Sequence, residues 1–223
     1  MLRLNNPSSH GFAAALMTHI SPQCPLIYLA SASPRRQELL AQVGLSFVTL
    51  PQQIDESHHI NEDPGHYVLR LAREKLEAAL HDKAYVLPMP VLAADTTVVF
   101  QGQILGKPAN LAEAILMLKL LSGSQHQVLT GVAIAQAGKI VQRLVSTTVF
   151  FRPLEESEII AYWESGEPCD KAGAYAIQGL GALFVSRIEG SYSNVVGLPL
   201  FETLQILTEF GINSTKLLAG AAV

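Results

Sequence analysis

The sequence predicts an α/β protein built on a mixed, twisted sheet. Three observations predict it. Short apolar runs at residues 26–30 and 46–51 alternate with amphipathic helical stretches, the pattern of strands joined by crossovers. Longer alternating runs at residues 127–135 and 140–151 meet at a glycine-containing turn, the pattern of a hairpin, so the sheet cannot be purely parallel. The chain shows no internal repeat and no low-complexity segment.

The elements follow in order. Leu26 to Ala30 reads as a buried strand. Ser33 and Pro34 then supply an N-cap and a proline at the first helical position of a helix that runs through Leu39, Leu40 and Val43 and stops at Gly44. A second strand is expected at residues 46–51. Asp63-Pro64 opens another helix, with Val68, Leu71, Ala72 and Lys75 on one stripe, continuing to about Leu80. Residues 91–100 form the strongest strand signal, and Gln101-Gly102 suits a tight turn into residues 103–105. Asn110 and Glu113 have capping-box spacing at the start of a helix that ends near Ser122-Gly123. The pair of alternating runs comes next, with its turn placed at Gly138-Lys139. A short helix follows at residues 155–164, closed by Gly166. Residues 167–197 read as loop, and a last helix runs from about Pro199 to Gly211.

Composition bounds the function. Of 223 residues, 49% are hydrophobic and only 15% charged, against about 25% charged in an average soluble protein; an intrinsically disordered chain needs the opposite balance. Asp95 and Lys119 break the longest apolar runs before about 18 residues, so no transmembrane helix is expected. Fifteen Lys and Arg against nineteen Asp and Glu leave a net charge of −4, which suggests no nucleic-acid coat and leaves room for a small anionic ligand. Cys24 and Cys169 match no metal-ligand spacing and suit a reduced, cytoplasmic compartment. Residues 1–24 carry no sustained periodicity. They read as a disordered leader, or as a mis-assigned start if translation begins at Met17, leaving residues 25–223 as a single domain.

Several residues point to chemistry. Ser31-Ala32-Ser33-Pro34-Arg35-Arg36 places two hydroxyls and two arginines at a helix N-terminus, whose unpaired N–H groups and partial positive charge favour phosphate oxygens. The plainer alternative is a solvated basic face tied to carboxylates such as Glu38. Asp95 interrupts a strand that otherwise reads as core. A carboxylate there needs a partner or a task, and a base or metal ligand opening onto a cleft is preferred over a structural Asp at a strand end. Asp55-Glu56 sits where a carboxylate can meet a metal ion, although a surface acidic pair is the commoner explanation. The stem of Lys75 packs inward, and its ammonium either snorkels to the surface, the readier outcome, or reaches an anionic site. Lys107 is loop-borne and suits either phosphate or solvent. Other motifs fail. Residues 102–108 fall one residue short of a P-loop and carry Pro108 where a Ser or Thr should stand. Gly179-Leu180-Gly181 lacks the third glycine of a dinucleotide fingerprint, and the adjacent His58 and His59 are a poor chelating pair.

Four separated stretches carry a resemblance: residues 29–40 (Leu-Ala-Ser-Ala-Ser-Pro-Arg-Arg-Gln-Glu-Leu-Leu), Ala94-Asp95-Thr96 with Gly106-Lys107-Pro108, residues 171–179 ending in Ile177-Gln178-Gly179, and residues 190–199. Together they resemble the Maf family of nucleoside triphosphate pyrophosphatases, long labelled septum-formation proteins, and most closely its dTTP/UTP subgroup. The resemblance runs from about Leu26 to Gly211; no family motif covers the segment before Cys24. It implies two α/β lobes around a deep cleft, similar to the inosine triphosphatase (ITPase-like) fold, usually as a homodimer. It implies that Asp95 is the catalytic proton acceptor, and that Arg35, Thr96 and Gln178 govern substrate choice. Glu56, Lys75 and Lys107 would line the cleft, with Ser33 and Arg36 joining the contacts to phosphate. The expected reaction converts dTTP or UTP to the monophosphate and pyrophosphate with Mg²⁺ or Mn²⁺ held by Glu56 and Asp95, without nucleic-acid or membrane partners. A non-catalytic nucleotide-binding regulator of division and a phosphatase releasing orthophosphate stepwise are the alternatives.

Overall fold

The computed structural model describes residues 26–86 and 88–220; the leader read at residues 1–24 lies outside them. One mixed seven-stranded sheet organises the chain in the order β2-β1-β3-β5-β6-β7, with β4 beside β3. Its first strands are β1 (Ile27–Leu29), β2 (Phe47–Thr49) and β3 (Val91–Phe100), all parallel. Helix α1 (Pro34–Gln42) joins β1 to β2, and α2 (Pro64–Leu80) joins β2 to β3. Because β2 and β3 lie on opposite sides of β1, the chain reverses direction across the sheet between β1 and β3. Such a switch point opens a crevice at the carboxyl ends of the parallel strands.

The antiparallel half comprises β4 (Gln103–Leu105), β5 (Gln125–Gln136), β6 (Lys139–Phe151) and β7 (Val185–Glu189). The β5–β6 turn is Ala137-Gly138, one residue earlier than the sequence suggests. Both residues have positive φ, 51° and 82°, as a twist-matched two-residue hairpin requires.

Side-chain alternation divides the core. Leu39 and Leu40 of α1 pack with Ile27, Leu29, Leu92 and Ala94 on one face, over which α3 (Leu111–Leu121) and α4 (Glu156–Glu164) also lie. On the other face Ala72, Leu76 and Ala79 of α2 meet Tyr28, Val91, Ala93, Ala133 and Ala135. Asp63 caps α2 by accepting from the Gly65 and His66 amides at 2.8 and 3.3 Å. At α3 the capping box is displaced: Asn110 accepts from the Glu113 amide at 3.0 Å, but the Glu113 carboxylate accepts from Ala109, before the cap, at 2.9 Å.

The stretch expected to be loop, 167–197, contains β7 and α5 (Tyr192–Val196), and α7 (Ser214–Gly220) lies beyond the last expected helix, α6 (Leu200–Thr208). Strand β7 is a half-exposed edge strand without the buried alternation that marks a core strand.

Candidate active site

The register places Asp95 in the crevice. Leu29, the end of β1, pairs with Leu92, so β3 continues past its neighbour and Asp95 stands roughly 10 Å beyond that end, at about 3.3 Å per residue. Alternation turns the Asp95 side chain to the α2 face, together with Val91 and Ala93. It is only 8% exposed.

Gly131 lies opposite Asp95 in the sheet. A Cβ there would stand 2.4 Å from the Val68 carbonyl oxygen, so only glycine lets α2 come this close. Two turns along α2 from Val68, Lys75 sits over Asp95, and its ammonium donates to the Asp95 carboxylate at 2.7 Å. The same ammonium pairs with Glu56 at 2.6 Å. Lys75 therefore reaches an anionic site and does not snorkel to the surface.

Glu56 follows β2 in an irregular segment that α2 pins in place. Tyr67 donates to the Glu56 carbonyl at 3.0 Å and Arg70 donates to the Ser57 carbonyl at 3.0 Å. Arg70 also pairs with Glu62 at 2.6 Å, a hydrogen bond that pulls the Glu62 carboxyl down to about 2. Nothing in the sequence announced this clamp, because it joins residues whose spacing carries no local signal. Gly131 was passed over in the sequence, although an isolated glycine inside a strand can mark a close approach.

The charges around the crevice oppose one another. Burial raises the Asp95 carboxyl above its ordinary value and outweighs the attraction of Lys75 and Arg36. Burial also pushes Glu56 upward, but the Lys75 hydrogen bond and the charges of Lys75, Lys107 and Arg36 bring it below the usual range. Lys107 is exposed on the loop after β4. Among the described residues no group of three or more His, Cys, Asp and Glu side chains gathers as a metal site. Glu56 and Asp95 form a two-carboxylate set that shares one lysine ammonium.

On the α1 side the two arginines part company. Arg36 is buried and braced: it donates to Gly197 O at 2.9 Å, Ser31 Oγ at 3.1 Å and Thr96 Oγ1 at 3.2 Å. Thr96 alternates with Asp95 to the opposite face of β3. Its hydroxyl accepts from Arg36, donates to Gly197 O at 3.3 Å and meets Thr130 Oγ1 at 2.9 Å. These bonds use three of the five guanidinium N–H groups of Arg36 and engage the Thr96 hydroxyl within the chain. Arg35 is half-buried, within electrostatic reach of Tyr162, Glu167 and Glu38, and burial lowers its pKa. The Ser33 side chain makes no capping bond and the first turn of α1 holds no acidic residue, so the helix N-terminus is uncapped by side chains. Gln178 is exposed in the segment before the 3-10 turn Leu180–Phe184.

A buried carboxylate at a switch-point crevice, beside a lysine and an uncapped helix N-terminus, defines an α/β site suited to a polyanionic ligand. The description "Maf-like protein" matches residues 26–210, and the chain belongs to the Maf family. It is 49% identical over 189 residues to the dTTP/UTP pyrophosphatase of Neisseria meningitidis serogroup A, covering 83% of this chain and 94% of the relative. It is 52% identical over 186 residues to the dTTP/UTP pyrophosphatase of Aliivibrio fischeri, covering 82% and 97%. The structure of the Staphylococcus aureus Ham1 protein is similar at TM-score 0.37 and 17% identity, covering 55% of this chain and 69% of that one, too slight a likeness to bear on the fold.

Proposed function

We propose that the chain is a nucleoside triphosphate pyrophosphatase that hydrolyses dTTP and UTP to the monophosphate and pyrophosphate. The observation that carries this reading is Asp95, a buried carboxylate at the switch-point crevice facing Lys75, in a chain whose close relatives are named for that reaction. Water attacks the α-phosphorus in line with the departing bridging oxygen. A new P–O bond forms, the bond to the β-phosphate oxygen breaks, the proton of water passes to Asp95, and pyrophosphate leaves. A carboxyl raised by burial is a stronger base than an ordinary aspartate, which suits that task.

Lys75, Lys107, Arg35 and Ser33, with the α1 N-terminus, hold the triphosphate. Arg36 joins that hold on the triphosphate, and the Thr96 hydroxyl takes part in substrate choice. The Gln178 amide offers a donor and an acceptor to the carbonyl and N–H edge of a pyrimidine. Two carboxylates converging on one cationic point fit a hard divalent ion, so Glu56 and Asp95 would hold Mg²⁺ or Mn²⁺. When bound, the ion offsets charge on the leaving pyrophosphate. On the family resemblance, the crevice is the groove between two lobes of an ITPase-like fold and the assembly is a homodimer. The cellular task is removal of unwanted nucleotides before polymerases use them.

A panel of nucleoside triphosphates scored for pyrophosphate tests the reading. Turnover is expected to be highest with dTTP and UTP. Nucleotide binding without turnover would instead support a regulator.

A further inference from the structure

The segment that presents Gln178 is tied at one end to the Glu167 carboxylate and at the other to Tyr162, which donates to that carboxylate. Glu167 lies in the 3-10 turn Glu167–Asp170, directly after Gly166. Its Oε2 accepts from the Leu180 amide at 2.8 Å, and its Oε1 accepts from the Gly181 amide at 3.0 Å. Oε1 also accepts from the Tyr162 hydroxyl at 2.7 Å, and that hydroxyl in turn accepts from the Ala176 amide at 3.0 Å. The two ends of residues 176–181 are thus fastened to a hydrogen-bonded pair of side chains, Tyr162 at one end and Glu167 at the other, with Gln178 exposed between them.

The fit leaves no slack. A Cβ at position 179 would stand 2.1 Å from Glu167 Oε2, so the glycine after Gln178 is the space the carboxylate occupies. Burial pushes the Glu167 carboxyl upward, but hydrogen bonds from Gly181, Leu180 and Tyr162, and the charge of Arg35, more than offset it. A carboxylate accepting several hydrogen bonds is held ionised, and charge-assisted bonds of this kind are the strong ones.

We propose that Glu167, with Tyr162 as its relay, is the positioning residue for nucleotide selection: it sets the Gln178 turn, and its charge acts on Arg35. This rests on the reading of Gln178 as a base-contacting residue. Glu167 does not touch the reacting atoms. Its loss therefore leaves Asp95 and Lys75 in place and changes which nucleotide is preferred.

The test measures kcat and KM for UTP, dTTP and GTP in the full chain, in Glu167→Gln, and in Tyr162→Phe, with Gln178→Ala alongside. Glutamine keeps the shape but turns an NH₂ group toward one of the amide donors, so the tether loses one end. Tyr162→Phe keeps the ring and removes only the relay, which provides a second route if Glu167→Gln folds poorly. Glu167→Gln is expected to raise KM for UTP and dTTP and to lower the preference over GTP about tenfold, the effect of one misplaced hydrogen bond. Its kcat should stay within about threefold, and Tyr162→Phe should move selectivity the same way. Amide exchange at Leu180 and Gly181, followed without substrate, should accelerate in Glu167→Gln. Faster exchange with unchanged selectivity overturns the positioning role, as does a kcat loss at constant selectivity. If the parent chain is selective and Gln178→Ala is not, while Glu167→Gln behaves as the parent, the inference falls alone. A parent chain that prefers no nucleotide overturns the underlying reading and the inference together.

Discussion

Removing the charge of Asp95 while keeping its shape separates catalysis from stability at a single residue. Burial already disfavours the ionised carboxyl in the fold. At neutral pH that charge therefore costs stability relative to the unfolded chain, and the sign is the reverse of an ordinary stabilising aspartate. Lys75 keeps Glu56 as a partner when Asp95 is neutralised. Asp95→Asn is expected to lower kcat by ~10²–10⁴, the range of general-base contributions, while the melting temperature holds or rises. Thermal unfolding and pyrophosphate release on one preparation check both halves. An early-melting variant with parental turnover would contradict the base assignment. Asp95 was legible in the sequence because an acid inside an apolar strand is out of place by itself. The partners of Lys75 were not, since its two carboxylates come from residues 19 and 20 positions away. Nor were the contacts of Arg36 and Thr96, since Arg36 donates to Gly197 O and Thr96 meets Gly197 and Thr130, both from distant segments.

Between elements, the contact that matters most is the close approach of α2 to β5 at Gly131. Gly131→Ala forces a Cβ into backbone carbonyl oxygen at 2.4 Å. The helix must shift or tilt, an overpacking cost of about 1–3 kcal/mol, and Lys75 moves with it because it rides two turns further along the same helix. The expected outcome is a melting temperature lower by several degrees and, unlike a remote destabilising substitution, a raised KM for UTP in the fraction that stays folded. Differential scanning calorimetry with steady-state kinetics reads both. Elements with strong local signals were legible: α2 from its Asp63-Pro64 start and apolar stripe, and the β5–β6 hairpin from its alternation. Strand β7 and the short α5 were not. The first is a half-exposed edge strand held by β6, and the second is five residues capped by Ser191. Both depend on tertiary contacts that carry no periodicity in the sequence.

Across the whole molecule, an aromatic cluster fastens the segment that follows α4 to the sheet. His126 of β5 meets the Tyr175 hydroxyl at 2.8 Å, and Phe151, Tyr162 and Phe184 complete an edge-to-face chain with these rings. Burial holds the His126 imidazole down to about 4, below the free value of about 6.5. The unfolded chain then binds a proton that the fold refuses, so this contribution to stability is intact above about pH 6.5 and is lost as the pH falls toward 4, up to roughly 3 kcal/mol. His126→Gln should flatten the melting temperature against pH across that window; a profile as steep as the parent's would contradict the neutral-imidazole account. The same cluster holds Tyr175 two residues from Ile177 and thereby joins the folding of the sheet to the Gln178 turn. In the proposed reaction, water attacks the α-phosphorus of a bound pyrimidine triphosphate. Hydrolysis of UTP in ¹⁸O-labelled water, with the products resolved by mass spectrometry, tests it most directly. The account predicts one ¹⁸O atom in UMP, unlabelled pyrophosphate and no orthophosphate; label in the pyrophosphate, or orthophosphate released with UDP, would contradict it.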